Sequence, residues 1–189
     1  MIFHEHSHAN LTSQAILSEP HSEMVFKPPR QNPSPVRKMA QLKAHHVRLT
    51  TFIQATEDED KVLDAIATFI PEEIDEDDVL FDILETEGYF GNPIKVVNVE
   101  IKRSKAVRKF LEYFKELLSE EDKKYLLDHL DEKVDEEGTF YVRFNKQKAY
   151  LGEAEVDEGP DVIQVRIKVK AFPMRKEAVV KAIREWLEE

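Results

Sequence analysis

Val162-Ile163-Gln164-Val165-Arg166-Ile167-Lys168-Val169-Lys170 decides the fold. Four aliphatic side chains, Ile163, Val165, Ile167 and Val169, alternate strictly with Gln164, Arg166, Lys168 and Lys170. Period two means a β-strand with one face in a core and the other open. The open positions are cationic or amide, although the whole chain of 189 residues carries a net charge of −11. A local reversal of sign on one sheet face suits a phosphate backbone. The same pattern serves solubility, so it does not identify a ligand by itself.

Just upstream lies a second basic run with rings interleaved, Tyr141-Val142-Arg143-Phe144-Asn145-Lys146-Gln147-Lys148-Ala149-Tyr150. Phe140, Val142 and Phe144 alternate with Thr139, Tyr141 and Arg143 and predict a strand; a further short strand is expected around Tyr150 before Gly159-Pro160 turns the chain. Earlier, Val47, Leu49, Thr51 and Ile53 alternate with His46, Arg48, Thr50 and Phe52, a first strand. Residues 79–86 and 94–102 are rich in Val, Ile, Leu and Phe and are separated by Gly88, Gly91, Asn92 and Pro93, which reads as a hairpin.

Helical periodicity fills the gaps. Thr56 and Glu59 have capping-box spacing ahead of Val62, Leu63, Ile66, Phe69 and Ile70, and Pro71 ends that stripe. Ser104 is placed to cap a helix presenting Val107, Phe110, Leu111, Phe114, Leu117 and Leu118, and Ser119 with Asp122 to start another that runs to Gly138. A last helix follows Pro173, with Val179, Val180, Ile183, Trp186 and Leu187 on its apolar stripe. The order β-α-β-β-α-α-β-(β)-β-α predicts an α+β domain, an antiparallel or mixed sheet with helices packed on one face.

Residues 1–38 follow neither period. They hold five of the nine prolines and read as a disordered arm or an upstream extension of the frame, leaving a single domain over 39–189. That domain is the acidic part, with a net −12. The chain has no cysteine, which excludes disulfides, thiolate metal sites and a Cys nucleophile. No run of apolar residues is long enough for a membrane span, so a cytoplasmic protein is the expectation. The 34% of charged residues leans toward a thermophilic source.

No phosphate-binding glycine loop, metalloprotease helix or nucleophile elbow occurs, and no cofactor, metal or catalytic residue is expected. The acidic runs 57–60 and 72–78 lack the ligand alternation and glycine of a calcium loop and read as solvated helix ends. His4, His6 and His8 are at most adventitious metal ligands in a tail, and His129 on a leucine-rich helix has no neighbour that would make it a base. In the hairpin connection, Gly91 serves either a turn or close approach of a ligand, with Tyr89 or Phe90 offering a ring to an unpaired base.

Three motifs occur in order: Thr56-Glu57-Asp58 ahead of Lys61-Val62-Leu63; Glu87-Gly88-Tyr89-Phe90-Gly91-Asn92-Pro93-Ile94; and Val142-Arg143-Phe144-Asn145-Lys146-Gln147-Lys148-Ala149-Tyr150-Leu151-Gly152. Over about residues 44–171 the chain resembles the archaeal proteins described as predicted exosome subunits with RNA-binding function. The resemblance implies an α+β fold similar to the ribosomal protein that contacts the 5S RNA, and a non-catalytic role near RNA processing.

The expected RNA surface therefore comprises Arg48, Tyr141, Arg143, Arg166, Lys168 and Lys170 on an open sheet face, Lys146 and Lys148 at its rim, Tyr150 as a second ring, and Tyr89, Gly91 and Asn92 in the hairpin connection. Its partners are RNA and, through the resemblance, exosome subunits. A second basic set, Lys102, Arg103, Lys105, Arg108 and Lys109, gathers at a helix start, where cations oppose the dipole. The competing expectation is a protein-interaction or dimerisation module that uses the same open face.

Overall fold

A computed structural model describes residues 41–88 and 91–189; the arm, its histidines, Tyr89 and Phe90 lie outside them. The elements are β1 (Ala44–Ile53), α1 (Glu59–Ala67), a short 3-10 turn (Glu76–Asp78), β2 (Val79–Glu87), β3 (Pro93–Ile101), α2 (Ser104–Leu117), α3 (Glu120–Asp128), α4 (Leu130–Lys133), β4 (Thr139–Asn145), α5 (Lys146–Tyr150), β5 (Val162–Val169) and α6 (Lys176–Glu188). All strands pair antiparallel in the order β2-β3-β1-β5-β4. The fold is α+β, as the two periodicities predict.

The alternation quoted from β5 is reproduced residue by residue: Ile163, Val165, Ile167 and Val169 are fully buried. Val47 and Leu49 of β1, Val97 and Val99 of β3, and Phe140, Val142 and Phe144 of β4 share that face. Helices supply the other half of the core through Val62, Ile66, Phe110, Phe114, Ile183 and Trp186. Phe144 of β4 meets Phe69 at 4.7 Å and Phe114 edge-on at 5.6 Å, and Phe114 stacks on Trp186 at 6.4 Å, so rings tie α2 and α6 to the sheet. The one hydroxyl in the β1 inward row, Thr51, donates to the Val162 carbonyl at 3.0 Å, which makes its burial tolerable.

Three caps or element types differ from the sequence reading, and the helix expected to run from Ser119 to Gly138 divides at His129 into α3 and α4. Asp58, rather than Thr56, caps α1, its carboxylate accepting from the amides of Asp60 and Lys61; a charged acceptor suits the positive helix end. Arg103, rather than Ser104, occupies the cap position of α2, with no side-chain cap bond. Ser119 caps α3 as its spacing implied, accepting from the Asp122 amide. The third difference is the strand expected near Tyr150, which is the helix α5: Asn145 ends β4 and its side chain accepts from the Lys148 amide, closing a helical turn where alternation would have continued.

Candidate nucleic-acid interface

The strand register lines up the outward side chains in rows. One runs Tyr141, Arg166, Arg48, Glu100, Leu80 from β4 across to β2, and the next runs Arg143, Gln164, Thr50, Asn98, Asp82. Lys168 stands opposite both Thr139 and His46, one row toward the start of β1. Arg48, Tyr141, Arg143, Arg166 and Lys168 thus do share the face opposite the core, and Lys170 continues it just past the end of β5.

These groups are held to different degrees. The Arg166 guanidinium lies over the Tyr141 ring, 5.8 Å from its centroid, and donates twice to the Gln164 side-chain oxygen at 2.6 and 3.0 Å. Tyr141 is fixed from below, its hydroxyl donating to the Asp135 carboxylate at 2.8 Å. The hydrogen bond to a carboxylate raises the phenol's pKa above its usual 10. Burial opposes ionisation of Asp135, yet the Thr139 amide and the Tyr141 hydroxyl, donating to it, leave its carboxyl below the usual value. Arg143 and Lys170 are exposed and have no carboxylate partner among the described residues, whereas Arg48 and Lys102 share Glu100 at 3.1 and 2.9 Å. The hydrogen bond from Lys102 lowers the Glu100 pKa, and Arg48 adds to it. His46 sits beside them, its pKa lowered from 6.5 by burial and by the neighbouring cations Arg48, Lys102 and Lys168, against the pull of Glu100.

Other expected members stand elsewhere. Lys146 is not at the rim: it is 3% exposed, and its ammonium donates to the Phe52 carbonyl at 2.9 Å and pairs with Glu57 at 2.8 Å and Asp161 at 2.5 Å. It clamps the end of β1 to the start of β5, because α5 turns its first side chain inward. Lys148 is tied to Glu153 and Glu155, and Tyr150 lies under Lys61, whose ammonium is 5.7 Å from the ring centroid; both belong to α5, packed by α1, and not to the sheet face. Gly91 and Asn92 sit at the tip of the β2–β3 hairpin, at the far edge from β5. Gly91 has φ +76, the left-handed conformation its turn needs.

Most of the basic set at the start of α2, Lys105 apart, also finds an internal explanation. Arg103 pairs with Asp78 at 2.8 Å, Lys109 donates to the Glu73 carbonyl, and Arg108 lies 4.0 Å from Glu112. Two of these cations anchor the acidic segment ahead of β2, which accounts for their position against the helix dipole. His129 ends α3, a ring nitrogen 2.8 Å from the Tyr125 carbonyl. Among the described residues no three acids or histidines group as metal ligands, and no helix is long and apolar enough to cross a membrane.

The sequence reading passed over Phe52. It is 48% exposed and stands outward one row beyond Thr50, next to Val96 across the β1–β3 ladder. Its signal was present: an aromatic side chain at an outward position of an alternating strand. A sheet face with cations, one pinned ring and one open ring has the groups that hold phosphates and stack bases.

A family model described as RNA binding matches residues 46–169. The RNA-binding protein PAB1135 of Pyrococcus abyssi is 68% identical over 147 residues, covering 78% of this chain and 96% of that one. The uncharacterized protein MJ0213 of Methanocaldococcus jannaschii is 46% identical over 140 residues, 72% of this chain and 93% of its own. The solved structure of Mth689, a DUF54 protein from Methanothermobacter thermautotrophicus, superposes with a TM-score of 0.64 at 34% identity, covering 77% of this chain and 98% of that one.

Proposed function

This chain belongs to the RNA-binding family whose model spans its residues 46–169, and from that premise we propose that it is a non-catalytic protein that binds single-stranded RNA on the open face of β1, β5 and β4. The observation that carries the reading is the Arg166–Tyr141 stack flanked by Arg143, which has no carboxylate partner among the described residues, on one face of an otherwise acidic molecule. Phosphates lie along Arg143, Arg166, Lys168 and Lys170, and Phe52 stacks a base. A cytoplasmic role beside exosome-type RNA processing, with a fold related to the 5S-RNA-contacting ribosomal protein, is the finer part of the proposal and rests on the resemblance of its three motifs. The competing use of this face for a protein partner gains nothing from the family match.

The test is a titration of the full chain with single-stranded RNA at several salt concentrations. Each phosphate contact on a single strand contributes about 0.7 to the slope of log affinity against log salt, so Arg143→Ala with Arg166→Ala flattens it by about one to two units. The loss is uniform across RNA sequences, since phosphate contacts position and do not specify. Phe52→Ala weakens binding by about 1–3 kcal/mol with the slope unchanged. Parental affinity and slope in both variants remove the sheet face as the RNA surface.

A further inference from the structure

β2 is one of the two edges of the sheet and, among the described residues, pairs only with β3. Its other row of backbone groups has no strand partner among the described residues, and such an edge is a template for an incoming strand. Large apolar side chains stand open on both its faces: Leu80 and Leu84, 54% and 53% exposed, on the open side, and Phe81, 52% exposed, on the helix side. Leu84 continues across Val96 to Phe52 in one row. Residues 71–87 carry nine acidic side chains and no lysine or arginine. Charge alone is a common guard of a free edge; three half-exposed large apolar groups on the same strand are not, and mark an interaction site.

The charge chooses the occupant. An RNA strand is repelled by this acidic edge. A second copy pairing β2 with β2 brings one acidic segment against another, which is unfavourable across a ladder. We propose that β2 is a docking edge for an extended protein segment rich in lysine or arginine, which adds as an outer strand. Its backbone bonds to the free edge, its apolar side chains cover Leu80, Leu84 or Phe81, and its cations meet Asp82, Glu85 and Glu87. This site adjoins the RNA face through the Leu84–Val96–Phe52 row, but it is built on the β2 edge and does not depend on RNA binding.

The probe is a short synthetic peptide of alternating valine and lysine, with alternating valine and glutamate as control, titrated onto the full chain by fluorescence anisotropy and followed by backbone amide hydrogen exchange. The valine–lysine peptide is expected to bind and to slow exchange along Val79–Glu87. Asp82→Lys with Glu85→Lys should weaken it at least about tenfold, as should Leu80→Ser with Leu84→Ser, both with unchanged melting because the side chains are exposed. Binding without slowed exchange in β2 overturns the proposal, reducing it to ionic adhesion. So does equal binding of the glutamate control, or affinity that survives both variants. Self-association of the chain that Leu80→Ser with Leu84→Ser abolishes also overturns it, since the occupant is then a second copy. The exchange measurement uses the unaltered chain and decides the matter even if a variant fails to fold.

Discussion

β5 and β2 belong to one antiparallel sheet, yet one carries cations above a fully buried aliphatic row and the other carries acids beside apolar groups that neither face covers. Both strands are rich in Ile, Val or Leu. Their difference comes from place: β5 lies between β1 and β4 under the helical layer, whereas β2 is an edge strand whose inward-side Phe81 and Ile83 are not fully covered. An interior strand must bury one face wholly and can spend its other face on function. An edge strand must manage two faces and a free backbone row, and its acids and half-exposed side chains are the mark of that condition. The sheet thus presents cations on its β5 side and acids along its β2 edge, which suits two partners of opposite charge.

The largest expected effect sharpens this contrast through stability. Ile167→Ala, at a fully buried position in β5, should cost about 2–5 kcal/mol by denaturant unfolding, because the lost transfer energy is joined by a cavity. The matched change Ile83→Ala in β2, where the side chain is only half-buried, should cost about 1 kcal/mol. Equal costs would break the comparison and show β2 to be as tightly held as the centre.

A smaller effect is expected at the tip of the edge hairpin. No atom lies within 4 Å of where a Cβ on Gly91 would stand, so Gly91→Ala meets only the backbone penalty of a positive φ, about 1 kcal/mol. A neutral or stabilising result in chemical denaturation removes the case for that turn.

The smallest effect tests the cationic half directly. Burial and the neighbouring cations hold the His46 pKa below 6.5, so the ring is neutral at neutral pH. RNA phosphates near Arg48 and Lys168 would offset that field and raise the His46 pKa, and by linkage RNA affinity should increase as pH falls through its titration range. An NMR titration of the His46 ring with and without RNA checks the sign. An unmoved or lowered pKa places the phosphates elsewhere.

Much of the fold was legible because burial on one side imposes a period on the sequence. The inward rows of β1, β4 and β5, the hairpin around Gly91 and the stripes of α2 and α6 all show it, and so do the cations of β5, which have nowhere to point but outward. The exceptions have two causes, one local and one long-range. Lys146, Lys148 and Tyr150 extend an apparently basic strand, but the Asn145 side chain bonds to the Lys148 amide and starts α5, which sends Lys146 into the interior. The cations at the start of α2 stand against the dipole because their partners, the Asp78 carboxylate and the Glu73 backbone carbonyl, lie far away in sequence.

The amino-acid sequence by itself determined which residues alternate, which stripes are apolar, and that cations gather on an acidic chain, because these are local consequences of strand and helix periods. Only the tertiary structure decided which cations are free and which are already paired, that Phe52 looks out beside Val96, and that β2 stands at an edge while β1, the first strand in the chain, stands at the centre. Pairing partners and strand neighbours are contacts between distant segments, and no local period encodes them.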